Sequence, residues 1–265
     1  MALRKILALI DPTSDIQPAF ERALDSALDT GAALHLFACA NSETGLGNKD
    51  EAAAALEAML QSLAARAVDA GIQVEYEHEW EEDWGARAVS AAARCGASML
   101  FKNSVDHSPV QRELHSTSDW TLLRTSPCPV LMVKNFHDWG KRRVLAAINP
   151  LSTEIAHVRL DNQIISFTRR LAAGYGSEAN FVTAYQDLNY PPDTERIAAD
   201  CGVPPERVHA RQGKAADTIR SVAAELEVDL IILGTVARDG IKGRVIGNTC
   251  ERLLDQTHAD VLVLN

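Results

Sequence analysis

The chain has 265 residues, 46% of them hydrophobic, which is enough to bury about two cores of ordinary size. Its formal net charge of −10 argues against nucleic acid or an anionic membrane surface as the main partner. No apolar run approaches the ~20 residues of a membrane span. The apolar stretch after Met1 stops at Asp11 and reads as a first strand rather than a leader. The five cysteines at 39, 95, 128, 201 and 250 form no CxxC pair, so reduced thiols and a cytoplasmic setting are expected.

In chain order, apolar runs predict strands at 4–10, 33–40, 72–79, 97–102 and 128–134. Amphipathic stretches between them predict helices near 16–30, 49–70, 84–95 and 113–125. The acidic run from Glu75 to Asp83 reads as an edge strand with a solvated face leading into a helix start. The second part repeats the alternation. Strands are expected near 142–148, 179–185, 206–211, 229–233 and 260–264, and helices near 154–174, 192–201, 214–226 and 246–257. Strands alternating with helices imply parallel sheets covered on both faces, with ligand crevices at the carboxyl ends of the strands.

The repetition extends to residues. Lys5–Pro12 aligns with Arg143–Pro150, and Val130–Val133 with Val261–Leu264. The chain is therefore expected to hold two similar domains, 1–137 and 141–265. The joint is so short that the halves are expected to pair within one chain, and the closing strands 128–134 and 260–264 are natural edges to be covered.

The stretch 230–249, LIILGTVARDGIKGRVIGNT, carries the most chemical information. A buried strand ends at Gly234, and a loop with Gly240, Gly243 and Gly247 then opens into a helix. Glycines let backbone approach a phosphate, and a helix N-terminus offers free N–H groups. The segment 131 positions earlier has Asn103 in place of Gly234 and Ser116 in place of Gly247. The loop is either a phosphate cradle or a set of glycines kept for turn geometry. Arg238 and Lys242 within it are either phosphate contacts or a solvated pair. Asn149 either binds a base or ribose or forms an Asx-type turn before Pro150.

No metal is expected, because His107 and His115 have no ligand spacing. Cys39 and Cys128 read as apolar packers. No nucleophile elbow, HExxH or Walker loop is present.

Two halves, each starting with a strand that ends in Asp-Pro or Asn-Pro and finishing with a PVLMV-type strand, resemble the universal stress protein family. The tandem, UspE-like form is the nearest match. SDWTLLRTSPCPVLMVK (118–134) and GTVARDGIKGRVIGNT (234–249) carry the resemblance. It implies two tandem Rossmann-like α/β domains of the adenine nucleotide alpha hydrolase-like type, each with a five-stranded parallel sheet.

Nucleotide-binding members carry Gly, two residues, Gly, nine residues, then Gly with Ser or Thr. Here Gly234 fits, Ala237 departs, and the closing pair is Gly247-Asn248, followed by Thr249. The strand-end Asp of such members is matched by Asp11 in the first half and replaced by Asn149 in the second. The resemblance implies one ATP or related phosphate-bearing ligand per chain, at Asn149, Gly234, Thr235, Arg238, Gly240, Gly247, Asn248 and Thr249. Two other readings stand beside it. One is a stress-response interaction scaffold that needs no nucleotide, in which the halves form a pseudo-dimer and the chain itself can form a homodimer. The other is a slow ATP hydrolase, with Asp239 the acidic residue inside the loop.

Overall fold

The structure is a computed structural model that describes residues 3–104, 121–134, 139, 143–235 and 248–264, apart from the side chains of Asn248 and Glu251. The chain divides into two compact units, Met1–Phe136 and His137–Asn265. The boundary falls just before Trp139, whose indole N–H donates to Asp260 Oδ2 at 3.0 Å and ties the joint to the second unit.

The first unit runs β1 (Lys5–Ile10), α1 (Pro18–Thr30), β2 (Ala33–Ala40), α2 (Lys49–Asp69), β3 (Val74–Trp80), α3 (Trp84–Cys95) and β4 (Met99–Asn103). Helical residues 121–125 (α4) and β5 (Val130–Val133) complete it. Its strands lie in the order β3-β2-β1-β4-β5, every pair parallel. The second unit runs β6 (Arg143–Ala147), α5 (Ile155–Tyr175), β7 (Glu178–Tyr185), α6 (Thr194–Cys201), β8 (Val208–Gln212), α7 (Ala215–Leu226), β9 (Leu230–Gly234), α8 (Asn248–Gln256) and β10 (Asp260–Leu264). Its order is β10-β9-β6-β7-β8, again parallel throughout. Each unit is thus the five-stranded Rossmann-like sheet expected.

The central strands are near-continuous apolar runs because helices cover both of their faces. Ile6, Leu7 and Ala8 of β1 are fully buried, as are Ile231 and Ile232 of β9. Helix boundaries follow local chemistry. Asn48 and Glu51 form a reciprocal capping box at the start of α2. Asp83 and Asp193 accept from the first-turn N–H groups of Ala86 and Arg196, opening α3 and α6.

Four strands start two residues later than the sequence pattern suggests, each for a local reason. Ile72 N–H donates to Ala67 O in the turn that closes α2, so β3 begins at Val74 and not at 72. Ala97 donates to Ala92 O in a helix-closing turn, so β4 begins at Met99 and not at 97. Pro127 and Pro129 carry no N–H, and β5 begins at Val130. Pro204-Pro205 set a single 3-10 turn, closed by Arg207 N–H to Pro204 O, so β8 starts at Val208 rather than 206.

Candidate functional site

Within each unit the strands are parallel, so the carboxyl ends of that unit's strands share one rim. In the second unit that rim is formed by Ala147, Tyr185 and Gly234 with the residues that follow them. β9 and β10 are parallel neighbours joined through α8, so α8 must run back across the sheet. Its first turn, with Asn248 and the half-buried Thr249, therefore lies at the same rim as Gly234.

Gly234 is the last residue of β9. A Cβ built on it would lie 2.6 Å from Leu160 Cδ1, and nearer still to Cγ and Cδ2. Leu160 belongs to the buried stripe Leu160–Ile164–Thr168 of α5. The missing side chain at 234 is therefore required by the close approach of α5, whatever else the position does. Thr235 is buried and bonded to the end of β10, its N–H donating to Leu264 O at 2.9 Å and its hydroxyl at 3.5 Å. Arg238, Gly240, Gly243, Gly247 and the Asn248 side chain lie outside the described residues, as do Ala237, Asp239 and Lys242.

Asn149 follows β6 and is exposed. The turn after it is closed by the main chain, Ser152 N–H to Asn149 O at 3.0 Å, rather than by its side-chain amide. The expected Asx-type turn is thus an ordinary backbone turn. The N–H of Asn149 donates to both carboxylate oxygens of Asp161, at 2.9 and 3.1 Å. Burial pushes the Asp161 carboxyl up from 3.8 to about 6, against the opposing pull of the Asn149 N–H and His157. Asp161 belongs to no motif. Its one sequence signal is its place beside the α5 core stripe, one residue past Leu160.

The first unit builds the corresponding rim from different groups. The N–H of Asp11 donates to Gln17 Oε1 at 3.0 Å, and Gln17 Nε2 donates to Asp11 O and Ser14 O at 2.7 and 2.6 Å. Gln17 is buried and neutral, and it does the work that Asp161 does in the second unit. The Asp11 carboxylate accepts from Thr13 N–H and Oγ1 at 2.9 and 2.7 Å, so the Asx-type turn occurs here. Asn103, the counterpart of Gly234, is buried, and its Oδ1 accepts from Ala19 N–H in the first turn of α1 at 2.6 Å. Gln17 itself makes no side-chain cap on that helix. His107 and His115 lie outside the described residues. Among the described residues, no three His, Cys, Asp or Glu side chains cluster as a metal site would require.

The model of the universal stress protein family matches residues 2–134 and again 163–265. The chain belongs to that family. Universal stress protein E of Escherichia coli K12 is 26% identical over 98% of this chain and 93% of its own length. The universal stress protein E of Photorhabdus laumondii is 24% identical over similar shares, 98% and 94%. A solved universal stress protein from Pseudomonas aeruginosa is 30% identical, covers 99% of this chain and 93% of its own, and superposes with a TM-score of 0.80. A universal stress protein from Archaeoglobus fulgidus shares the fold at 18% identity and a TM-score of 0.76, covering 98% of this chain and 95% of its own. These matches run across both halves, so the tandem, UspE-like arrangement is a property of the whole chain. The second family match begins within α5 and leaves out β6, Asn149 and Asp161. This is the part of the second unit where the rim is built differently.

Proposed function

We propose that this tandem universal stress protein serves the stress response by holding one ATP, or a related phosphate-bearing ligand, per chain in its second half. The observation that carries the reading is the juxtaposition of the β9 end at Gly234 with the first turn of α8, including Thr249, on one strand-end rim. A helix N-terminus presents N–H groups and positive partial charge to an anion. The remaining groups of the reading are Asn149 and Thr235 on the same rim, with Arg238, Gly240, Gly247 and Asn248 from the segment between. No nucleophile elbow, HExxH or Walker loop occurs in the sequence, and the reading is of a ligand-holding module rather than a hydrolase. It is also of a cytoplasmic protein without nucleic-acid or membrane partners, in keeping with a net charge of −10. Among the described residues no helix is long and apolar enough to cross a membrane.

The test is equilibrium binding of labelled ATP to the native chain and to Thr249→Val. The hydroxyl-to-phosphate bond is charge-assisted, and losing it should weaken binding about tenfold. Gly234→Val is unsuitable as the diagnostic variant, because it would displace Leu160 whether or not a ligand binds. No binding by the native chain sinks the proposal.

A specific observation favours a second reading, a scaffold with no required nucleotide. In the first half, Asp11 and Asn103 are bonded to Thr13 and to the α1 N-terminus, where they hold the fold together. On that reading native mass spectrometry finds the purified chain without a bound small molecule, either as a monomer or as a homodimer.

A further inference from the structure

A concave feature lies far from the glycine loop in sequence, at the outer rim of the first unit's sheet. It is a groove of about 360 Å³ between the first two turns of α2 and the end of β3. Ala52, Ala53 and Leu56 form its helix wall and Trp80 its strand wall, with the charged Lys49, Glu79, Glu81 and Arg87 also lining it. Two small residues on the helix wall leave the space open.

β3 is the end strand of this sheet, and among the described residues its strand partner is β2. The bonds to β2 run through the odd-numbered residues of β3. Leu34 N–H donates to Gln73 O at the start, and Glu81 N–H to Ala40 O at the end, both at 2.8–2.9 Å. In a parallel ladder this leaves the N–H and C=O of Tyr76, His78 and Trp80 pointing outward, beside the groove. A row of outward main-chain groups next to a partly apolar groove is an arrangement that accepts an added strand.

Charge selects the partner. Glu75, Glu77, Glu79, Glu81, Glu82 and Asp83 line this stretch. Lys5, Arg87, Arg94 and the imidazole of His35 pair with these carboxylates and Lys49 lines the groove, so carboxylates remain in excess. Like charges facing each other across a strand pair are destabilising, so this rim repels a second copy of itself. The same carboxylates attract an extended segment that carries Lys or Arg.

We propose that the β3 rim and the α2–β3 groove form a docking site for an extended, basic segment of a partner protein. The segment adds as a strand to β3 and places one apolar side chain against Ala53, Leu56 and Trp80. This site is independent of the nucleotide reading and stands or falls separately.

Fluorescence anisotropy with a labelled nine-residue peptide of alternating lysine and valine tests it. A control peptide of the same sequence is N-methylated at alternate amides, which keeps the charge and blocks strand pairing. The native chain should bind the first peptide in the micromolar range and the methylated one at least tenfold more weakly. Ala53→Gln, which fills a half-buried wall position without adding charge, should weaken the first peptide at least tenfold and leave the circular dichroism unchanged. Equal binding of the two peptides would reduce the effect to charge attraction and overturn the proposal. An unaffected Ala53→Gln variant, or no binding at all, would overturn it as well.

Discussion

Asp161→Asn is the sharpest test of how the second half is built. Burial raises the Asp161 carboxyl from 3.8 to about 6. A folded-state value above the unfolded one means that the group's favourable contribution is complete below about 4. That contribution is lost as pH rises through about 6. At pH 7.5 the carboxylate is ionised in a partly dry site and works against the fold. The full shift is worth about 3 kcal/mol at ~1.4 kcal/mol per pH unit, and partial exposure reduces this to about 1–2 kcal/mol. Asparagine keeps a side-chain oxygen for the Asn149 N–H and carries no charge. The variant should therefore be more stable than the native chain at pH 7.5, by roughly 3–8 °C in the melting transition of the second half. It should show no such gain at pH 4. Scanning calorimetry at both pH values reads this directly. Loss of stability at pH 7.5 would refute the reasoning, since it would show that the ionised carboxylate stabilises the strand end more than its burial costs.

Two further substitutions follow from the same rim. Gly234→Ala should destabilise the chain by about 2 kcal/mol or more through overlap with Leu160. Adding Leu160→Ala should make the double variant less damaging than the sum of the singles, measured as a double-mutant cycle by calorimetry. Asn103→Ala removes the buried acceptor of the Ala19 N–H and should cost about 1–2 kcal/mol in the first half alone, read from the two transitions.

Most of the fold was legible because the strands at the sheet centres are long apolar runs and α2, α3 and α6 carry clear side-chain caps. The misplaced strand starts at 72, 97, 128 and 206 share one cause, a turn or proline that withholds main-chain donors from the ladder where side-chain polarity gives no warning. The edge position of β3 was legible for the opposite reason. Its alternating Glu75, Glu77, Glu79 and Glu81 cannot face a packed layer without cations, and Arg87, Arg94 and Lys5 meet them. Asp161 and Gln17 were not legible. Each acts on one main-chain N–H at a strand end, and that contact depends on the angle at which a helix returns over the sheet. No spacing along the chain records such an angle.

The glycine at 234 shows why a motif read from one half needs the other half beside it. Taken alone, it signals phosphate. Set beside Asn103, it marks one of two solutions to the same packing problem. In the first half the residue at the strand end carries a side chain that caps α1 by accepting from Ala19. In the second half that space is taken by Leu160, and a side chain at 234 would have to displace it. A single-site change in either direction is therefore costly. Asn103→Gly would leave the Ala19 N–H without its buried acceptor, and Gly234→Asn would collide with Leu160. The two rims differ as sets of coupled contacts, so exchanging the residue at either strand end requires the first helix of that half to repack with it. The charge of the strand-end clasp diverged alongside, from neutral Gln17 to ionisable Asp161. The carboxylate thus sits on the strand-end residue itself, Asp11, at the first rim and on the clasp behind Asn149, Asp161, at the second.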